Sequence, residues 1–347
     1  MKAAVYLGPE KLEIREVEKP SCKAGEALIK VKACAICGTD VRIYYHGQAN
    51  VKPPHIIGHE IAGVVEQAGA GVKGVAEGDR VTVVTSVGCG KCRFCGKGYY
   101  NLCNETKALG YFWPGGFAEY VLIPEKSVSQ NSIIKIPDGI SFETASIIEP
   151  LSCCINGQEY LKIEKGDFVV VFGCGPIGIM HAELARAQGA SKVAIIDVSE
   201  DKLELGRKFN GFVLVNSAKE DPVKKVLEMT RNEGADVIIV AAGSGKAQQQ
   251  ALEMAAKKAR LSYFAGLPKE SPTIEFNSNT LHYREISVYG AFASHGAQYR
   301  KAAELIEKGL IDASKMITHF YPLEKIEEAI RAVKSGKTLK AVIKIET

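Results

Sequence analysis

Four closely spaced cysteines form the most specific metal-binding pattern in the sequence. Cys89, Cys92, Cys95 and Cys103 follow one another at C-x2-C-x2-C-x7-C spacing in a segment rich in glycine and lysine. Four thiolates can close tetrahedrally on Zn²⁺, which leaves no open position for chemistry. The alternative is four unrelated free thiols, but buried cysteines rarely cluster on a polar loop. We therefore predict a structural zinc site.

A second, dispersed set has the composition of a catalytic zinc site. It comprises Cys37 in I-C-G-T-D, His59 in G-H-E and Glu149 in I-E-P-L-S. Catalytic zinc usually keeps three protein ligands and one position for water or substrate. The residues alone leave a second interpretation open, in which His59 forms a hydrogen-bonded pair with Glu60 and Cys37 is a core thiol.

A glycine-rich turn predicts a dinucleotide site. The apolar run 169–172 leads into G-x-G-x-x-G spacing and then into a helical pattern. The first glycine permits a tight turn, the second lets a pyrophosphate approach the backbone, and the third lets helix and strand pack closely. The cofactor-binding residues predicted in this turn are Gly173, Gly175, Pro176, Ile177 and Gly178.

Asp197 indicates which dinucleotide binds there. It ends the next apolar run, 193–196. An acidic residue about twenty positions after the glycines accepts hydrogen bonds from the adenosine ribose and repels a 2′-phosphate. The predicted cofactor is NAD rather than NADP.

The surrounding patterns predict two domains. Residues 1 to about 152 read as short strands punctuated by glycine and proline, typical of a small β-barrel. From residue 166 strands alternate with helices, and six strand-like runs suffice for a doubly wound parallel α/β sheet of the Rossmann type. The tail carries two amphipathic segments, 298–307 and 323–334, and a closing strand, 342–345. It is too short to fold alone, so we expect it to complete the first domain.

Composition excludes other classes of protein. The 347 residues are 46% hydrophobic and 24% charged, with a net charge of +4 that is scattered along the chain. This pattern predicts neither a nucleic-acid partner nor a membrane partner. The first residues reach Pro9 and charged positions too early for a signal peptide. We therefore expect a cytoplasmic enzyme whose ten cysteines are thiols and metal ligands.

Several motifs in order resemble the medium-chain zinc-containing alcohol/polyol dehydrogenases. They are the pattern G-H-E-x2-G-x5-G-x2-V over 58–72, the C-G-T-D of 37–40, the four-cysteine segment, G-F-A-E-Y at 116–120, E-P-L-S at 149–152 and the glycine turn. The resemblance spans nearly the whole chain. It implies a GroES-like catalytic domain (1–152 and 291–347), a Rossmann NAD-binding domain (153–290) and a catalytic zinc in the cleft between them.

The resemblance also assigns ligands. Cys37 and His59 match catalytic zinc ligands, and Glu149 stands where alcohol dehydrogenases carry cysteine and polyol dehydrogenases carry glutamate. The chain is therefore similar to the sorbitol, threonine and galactitol-phosphate dehydrogenase branch. Further candidates for the metal sphere are Glu60, which would bind zinc directly or lie just behind it, and the competing thiols Cys153 and Cys154.

Other positions match the family incompletely. Thr39 matches the hydroxyl that first takes the substrate proton, but Arg42 stands where many relatives carry the next relay histidine. A guanidinium cannot relay a proton at neutral pH, so ribose and water, or His46, would complete the path. Arg42 is then either an anion contact or a solvated surface charge. Lys202 matches a basic residue near the ribose or is an ordinary surface lysine.

The resemblance implies reversible hydride transfer between NAD and a secondary alcohol of a polyol, sugar alcohol or related small hydroxy compound. An Arg-Tyr pair of polyol dehydrogenases is replaced by Ala293 and Ser294, which weakens the case for sorbitol, and His295 beside them could contact a substrate. Threonine-type and sugar-phosphate dehydrogenases are the alternatives within the family. Outside it stand a zinc-free quinone or enoyl reductase and a zinc or redox sensor. Bacterial relatives suggest a homotetramer paired through a strand near 286–289.

Overall fold

The structure is a computed structural model that describes residues 1–346. The chain divides into two units. The first comprises Met1–Ser152 and the described residues from Ala293 onward, and the second comprises Cys153–Phe292. The second boundary therefore falls two residues later than the predicted 290/291 division.

The strands in chain order are β1 (Lys2–Gly8), β2 (Lys11–Glu16), β3 (Ala27–Ala35), β4 (His55–Ile56), β5 (Glu60–Ala68), β6 (Arg80–Val83), β7 (Ser86–Val87), β8 (Lys107–Ala108), β9 (Tyr120–Ile123), β10 (Ile133–Lys135), β11 (Phe168–Phe172), β12 (Lys192–Asp197), β13 (Phe212–Asn216), β14 (Ala235–Val240), β15 (Ala255–Tyr263), β16 (Ser287–Gly290), β17 (Ile317–Pro322) and β18 (Lys340–Lys344).

The α-helices are α1 (Gly38–His46), α2 (Glu125–Val128), α3 (Phe142–Ala145), α4 (Ile148–Glu159), α5 (Pro176–Ala187), α6 (Glu200–Gly206), α7 (Pro222–Met229), α8 (Gly245–Glu253), α9 (Ser278–Arg284), α10 (Gly296–Glu307) and α11 (Ile326–Lys334). Within residues 1–346, none of these helices is both long and apolar enough to cross a bilayer.

The first unit is built on a seven-stranded sheet. Its order is β10-β6-β5-β3-β18-β17, and β9 also pairs with β3. The tail strand β18 pairs antiparallel with β3, with Ile343 opposite Cys34. Alternating side chains of these strands form the core, which includes Ile29, Ile61 and Ile343, all fully buried. The sheet therefore brings the beginning of β18 close to the end of β3.

The second unit contains one parallel sheet. Its order, β13-β12-β11-β14-β15-β16, is the doubly wound arrangement 3-2-1-4-5-6. Strands covered on both faces need continuous apolar runs, and all five residues of β11 are buried. The order reverses between β11 and β14, and a ligand of such a sheet binds at the carboxyl ends of the strands at that point.

Candidate metal and cofactor sites

The four cysteines of the first unit converge. Cys89, Cys92, Cys95 and Cys103 all bring their sulfur atoms within 4.8 Å of one another. The Sγ atoms of Cys92 and Cys95 are 3.5 Å apart, and those of Cys89 and Cys95 are 3.9 Å apart. Tetrahedral ligands with Zn–S bonds of about 2.3 Å lie about 3.8 Å from each other. The spacing therefore fits a closed zinc site.

Backbone amides prepare this cluster for thiolates. The N–H groups of Cys89 and Glu105 donate to Cys103 Sγ at 3.2 and 3.4 Å. A hydrogen bond from the backbone of Cys95 lowers the pKa of Cys92 to about 6, whereas burial raises the pKa of Cys95 to about 12. The Cys92 thiol thus ionises easily, whereas burial opposes ionisation of Cys95. A bound divalent cation would favour the thiolate form of both.

A second group contains Cys37, His59 and Glu60, whose ligand atoms also lie within 4.8 Å of one another. Cys37 is the N-cap residue of α1, and Glu60 begins β5 directly after His59. Thiolate, imidazole and carboxylate are the donors that zinc takes in proteins. The loop before α1 and the start of β5 therefore bring together three of the residues that the sequence predicts.

Asp40 orients both ends of this group. Its Oδ2 atom accepts a hydrogen bond from the backbone N–H of Cys37 at 2.9 Å. Its Oδ1 atom lies 3.4 Å from Nδ1 of His59. The Asp40 side chain is fully buried, so it holds the imidazole with Nε2 turned to the opposite side. A carboxylate behind a metal-binding histidine fixes its tautomer and raises its basicity.

The field around His59 favours a cation. Burial lowers the pKa of His59, but the acidic groups Tyr111, Asp40 and Cys37 together hold it well above its ordinary value. Oδ1 of Asp40 and Nδ1 of His59 are buried without a hydrogen bond that satisfies ordinary geometry. A zinc ion on Nε2 would supply the positive charge while the imidazole stays neutral. The residues present therefore fit a catalytic zinc.

Glu60 has a second partner in Lys340 at the start of β18. The Lys340 ammonium contacts the Glu60 carboxylate and donates to the backbone oxygen of Ile36 at 3.0 Å. Burial lowers the pKa of Lys340, but Glu60 and Cys37 outweigh that effect and raise it. The charge of the buried Glu60 carboxylate is thus balanced by the Lys340 ammonium.

Glu149 lies near the group but outside its tight cluster. It is in the first turn of α4 and is buried. Its charge acts on both Tyr111 and Lys340 and helps to raise the pKa of each. The geometry thus brings Cys37, His59 and Glu60 together and leaves Glu149 beside them.

The glycine turn has the form that its sequence predicts. Gly173 has φ of +103°, and Gly175 is the N-cap residue of α5 with open space where a Cβ would stand. A Cβ on Gly178 would lie 1.7 Å from the backbone oxygen of Gly173. Pro176 and Ile177 form the first turn of α5. The helix N-terminus is therefore bare and accessible to a phosphate.

Asp197 is tied to this turn. Its Oδ2 atom accepts from the backbone N–H of Cys174 at 2.8 Å, and its Oδ1 atom accepts from that of Ser199 at 2.9 Å. Lys202 Nζ lies 4.0 Å from the same carboxylate. The Asp197 side chain is almost fully buried, so its remaining lone pairs are fixed in direction.

The other predicted residues are less informative. Thr39 lies half-buried in the first turn of α1. Arg42 is exposed and donates to Gln48 at 2.8 Å, and His46 is exposed at the end of the same helix. His295 is the N-cap residue of α10, with its ring 5.5 Å from that of Tyr99. The Arg42 guanidinium therefore lies on the surface, bonded to Gln48.

Two further positions bear on the alternatives. Cys154 is buried, with its sulfur 3.8 Å from the backbone oxygen of Ile177, and the described metal clusters include neither Cys154 nor Cys153. Ser294 is buried and shares a 2.6 Å hydrogen bond with Ser152.

Three residues at the second cluster have no counterpart in the predicted site: Asp40, Tyr111 and Lys340. Asp40 stands inside the C-G-T-D motif, so its spacing from Cys37 could have indicated a helix-capping carboxylate. Lys340 offers no such signal, because a lysine before an apolar strand usually marks its solvated edge.

Two family models match the chain. "Alcohol dehydrogenase GroES-like domain" matches residues 23–138, and "Zinc-binding dehydrogenase" matches residues 176–308. An L-threonine 3-dehydrogenase of Pyrococcus horikoshii is 36% identical over 96% of this chain and 95% of that protein. A sorbitol dehydrogenase of Halalkalibacterium halodurans is 34% identical over 99% of both.

Solved structures agree in fold along the whole chain. A protein of Sinorhizobium meliloti assigned to the zinc-binding dehydrogenases and bound to NADP matches with a TM-score of 0.91 at 30% identity, over 99% of this chain and 98% of that one. An alcohol dehydrogenase of Escherichia coli CFT073 in complex with NADH matches with a TM-score of 0.88 at 28% identity, over 99% of both chains.

Proposed function

Because the chain belongs to the medium-chain zinc-dependent alcohol and polyol dehydrogenases, we propose that it oxidises a secondary alcohol of a small hydroxy compound to a ketone, reversibly, with NAD. The observation that carries this proposal is the cluster of Cys37, His59 and Glu60 with Asp40 behind it. When bound there, zinc supplies Lewis acidity, which lowers the pKa of a hydroxyl group.

The protein's own residues would then perform separate tasks. Cys37, His59 and Glu60, whose ligand atoms lie within 4.8 Å of one another, would hold the metal, with the buried Glu149 of α4 beside them. Asp40 keeps the imidazole oriented. Thr39 takes the substrate proton, since its hydroxyl is two residues from Cys37 in the first turn of α1. Arg42 takes no part in the relay because it is exposed, always charged and bonded to Gln48.

We propose NAD as the cofactor because of Asp197. Its carboxylate is held beside the glycine turn and directed by two backbone hydrogen bonds. A 2′-phosphate next to this charge would be repelled. One similar structure contains NADH and another NADP, so the acidic residue of this chain, rather than the fold, is the basis for the choice.

A polyol or sugar alcohol is our first proposal for the substrate class, and L-threonine is the second. The 36% identity to an L-threonine 3-dehydrogenase favours the second. Ala293 and Ser294 replace the Arg-Tyr pair of polyol dehydrogenases, which weakens the case for sorbitol, and Ser294 is bonded to Ser152 instead. Both substrate classes present a secondary hydroxyl flanked by another polar group.

A substrate panel tests the proposal. Zinc-replete protein is given sorbitol, xylitol, L-threonine, galactitol phosphate, inositol and butanediol with NAD or NADP, and NAD(P)H absorbance is followed. Turnover with NAD on a polyol supports the first proposal, and preference for L-threonine supports the second. One open and one closed site imply about two zinc ions per chain. If the protein oxidises none of these compounds and contains fewer zinc ions than that, the zinc-free reductase is favoured instead.

The expected homotetramer is a further proposal. Strand β16 lies at the edge of the parallel sheet, and Val288 on it is 38% exposed. An edge strand with an exposed apolar side chain is suited to pairing with a second copy. Light scattering of the purified protein tests the assembly.

A further inference from the structure

Tyr111 places a phenol hydroxyl beside the catalytic cluster. Its Oη atom lies 3.5 Å from Nε2 of His59, and the two rings are 5.2 Å apart at an angle of 42°. The other ring nitrogen, Nδ1, faces Asp40. The Tyr111 hydroxyl therefore faces the nitrogen that is available to a metal.

The loop that carries Tyr111 is fixed against the segment that carries His59. Gly115 donates its N–H to the oxygen of Ile56 at 2.8 Å, and Gly116 donates to that of Gly58 at 2.8 Å. A Cβ on Gly115 would lie 2.1 Å from the backbone oxygen of Gly58. Only glycine permits this close approach. The loop that carries Tyr111 is therefore held directly against the segment that leads into His59.

The distance of 3.5 Å between Tyr111 Oη and His59 Nε2 is close to the distance between two ligands of one metal ion. Two ligands of one tetrahedral zinc, with bonds of about 2.0–2.1 Å, lie about 3.3 Å apart. The Tyr111 hydroxyl, at 3.5 Å, would therefore lie about as far from Nε2 as a second ligand of a metal bound to that nitrogen would lie. A metal on Nε2 also removes that nitrogen as an acceptor, and a half-buried hydroxyl then needs another partner.

We propose that Tyr111 is a catalytic residue that donates its hydroxyl hydrogen to the reacting oxygen of the substrate. This inference rests on the proposed function. The hydrogen bond stabilises negative charge on that oxygen as the substrate proton departs, and the tyrosine keeps its own proton throughout. No additional bond is made or broken, so the hydride still passes to NAD.

The test begins with Tyr111→Phe, which keeps the ring and its packing and removes only the hydroxyl. Tyr283→Phe is the matched control, because Tyr283 is 75% exposed in the second unit. We expect kcat to fall about 10- to 100-fold, the effect of one hydrogen bond to a charged oxygen, with an unchanged KM for NAD. The control should retain wild-type kinetics. Fluorescence of Trp113, the single tryptophan of the chain, reports whether the loop is still folded.

A readout without turnover separates this inference from the proposed function. Cobalt replaces the catalytic metal while the four-cysteine site keeps zinc, and the absorption spectrum is recorded across pH without substrate. The pH at which half of the spectral change has occurred is the midpoint of the titration. If Tyr111 donates a hydrogen bond to the oxygen at the open position, its loss in Tyr111→Phe should raise this midpoint by about one pH unit. This arm works even if no alcohol in the panel is oxidised.

Each result decides the inference. A lower kcat of Tyr111→Phe, together with a higher midpoint of its spectral titration, supports the inference. Wild-type kcat with an unmoved midpoint overturns it, and so does a tyrosinate-to-cobalt charge-transfer band in the wild type, which would make Tyr111 a ligand. A spectrum of Tyr111→Phe that matches the wild type while kcat falls would assign Tyr111 a structural role and also overturn the inference.

Discussion

Lys340 and Glu60 form an ion pair inside the first unit, where the lysine is 3% exposed and the glutamate is fully buried. The two residues lie at the starts of β18 and β5, which flank β3 on either side. Lys340 also donates to the backbone oxygen of Ile36, the residue before Cys37. A lysine from the end of the chain thus supports the loop that presents the first candidate zinc ligand.

Removing Lys340 should be costly. Lys340→Met leaves Glu60 as a buried unpaired carboxylate, and breaking one side of a buried pair costs about 3–5 kcal/mol. We expect the free energy of unfolding of the metal-free protein to fall by that amount in a denaturant titration. The double variant Lys340→Met/Glu60→Leu should recover most of the loss. Equal stability of the single and double variants would show that the pair is not coupled.

The four-cysteine site should act on stability and not on chemistry. Cys92→Ser removes the thiol whose pKa is lowered to about 6, and the zinc content should fall from about two to about one per chain, since a closed site needs all four ligands. The melting temperature should drop, while turnover at low temperature remains. Zinc analysis and calorimetry measure the two effects. Loss of turnover in the folded variant would contradict a purely structural role.

Asp197 should set the cofactor preference. Asp197→Ser removes both the ribose acceptor and the charge that repels a 2′-phosphate. We expect the KM for NAD to rise about tenfold or more, from the loss of hydrogen bonds to a charged group, and the preference for NAD over NADP to shrink. Asp201→Ser, on the exposed surface of α6, is the control. If the wild type already prefers NADP, the assignment of Asp197 is wrong.

His181 should make stability depend on pH. Burial lowers its pKa to about 3, and its ring accepts from Gln158 Nε2 at 3.0 Å and packs edge-on against Phe264. The unfolded histidine titrates near pH 6.5. Because the folded pKa lies below the unfolded one, the stabilisation is complete above pH 6.5 and is lost as the pH falls toward 3, by up to about 1.4 kcal/mol per unit.

Denaturant titrations at pH 7 and pH 5, in chelator so that metal release does not contribute, measure this slope. His181→Leu should be less stable at pH 7 because Gln158 loses its hydrogen bond to the imidazole ring, although it keeps the one to the backbone oxygen of residue 181. The unfolding free energy of the variant should fall less between the two pH values. An identical decrease in both proteins would show that His181 is not responsible.

Much of this arrangement follows from sequence, because the signals are local. The turn at Gly173 and the cysteines of 89–103 carry their geometry in their spacing, and the family prediction and the Rossmann and GroES-like folds are confirmed. Strand positions were predicted to within a few residues, such as 193–196 for β12 (Lys192–Asp197). The assignments of individual site residues stay predictions until the variants are measured.

What the sequence could not show depends on contacts between distant segments. The closing strand begins at Lys340 and not at 342, and only the pairing of β18 with β3 explains why a lysine there is buried. Strand β17 was missed because its segment, I-T-H-F-Y-P, does not alternate regularly between polar and apolar residues and ends in proline. Tyr111 acquires its place near His59 only through the contacts of Gly115 and Gly116 with residues 56–58.

The measurement that most directly tests the central claim is NAD reduction by Cys37→Ser with its zinc content determined in parallel. Cys37 caps α1 and brings its sulfur to the cluster with His59. The variant should lose about one of two zinc ions and at least about 1,000-fold in kcat, since metal catalysis of this kind contributes several kcal/mol, while the four-cysteine site keeps its metal. A folded Cys37→Ser protein that retains two zinc ions and wild-type turnover would contradict the account.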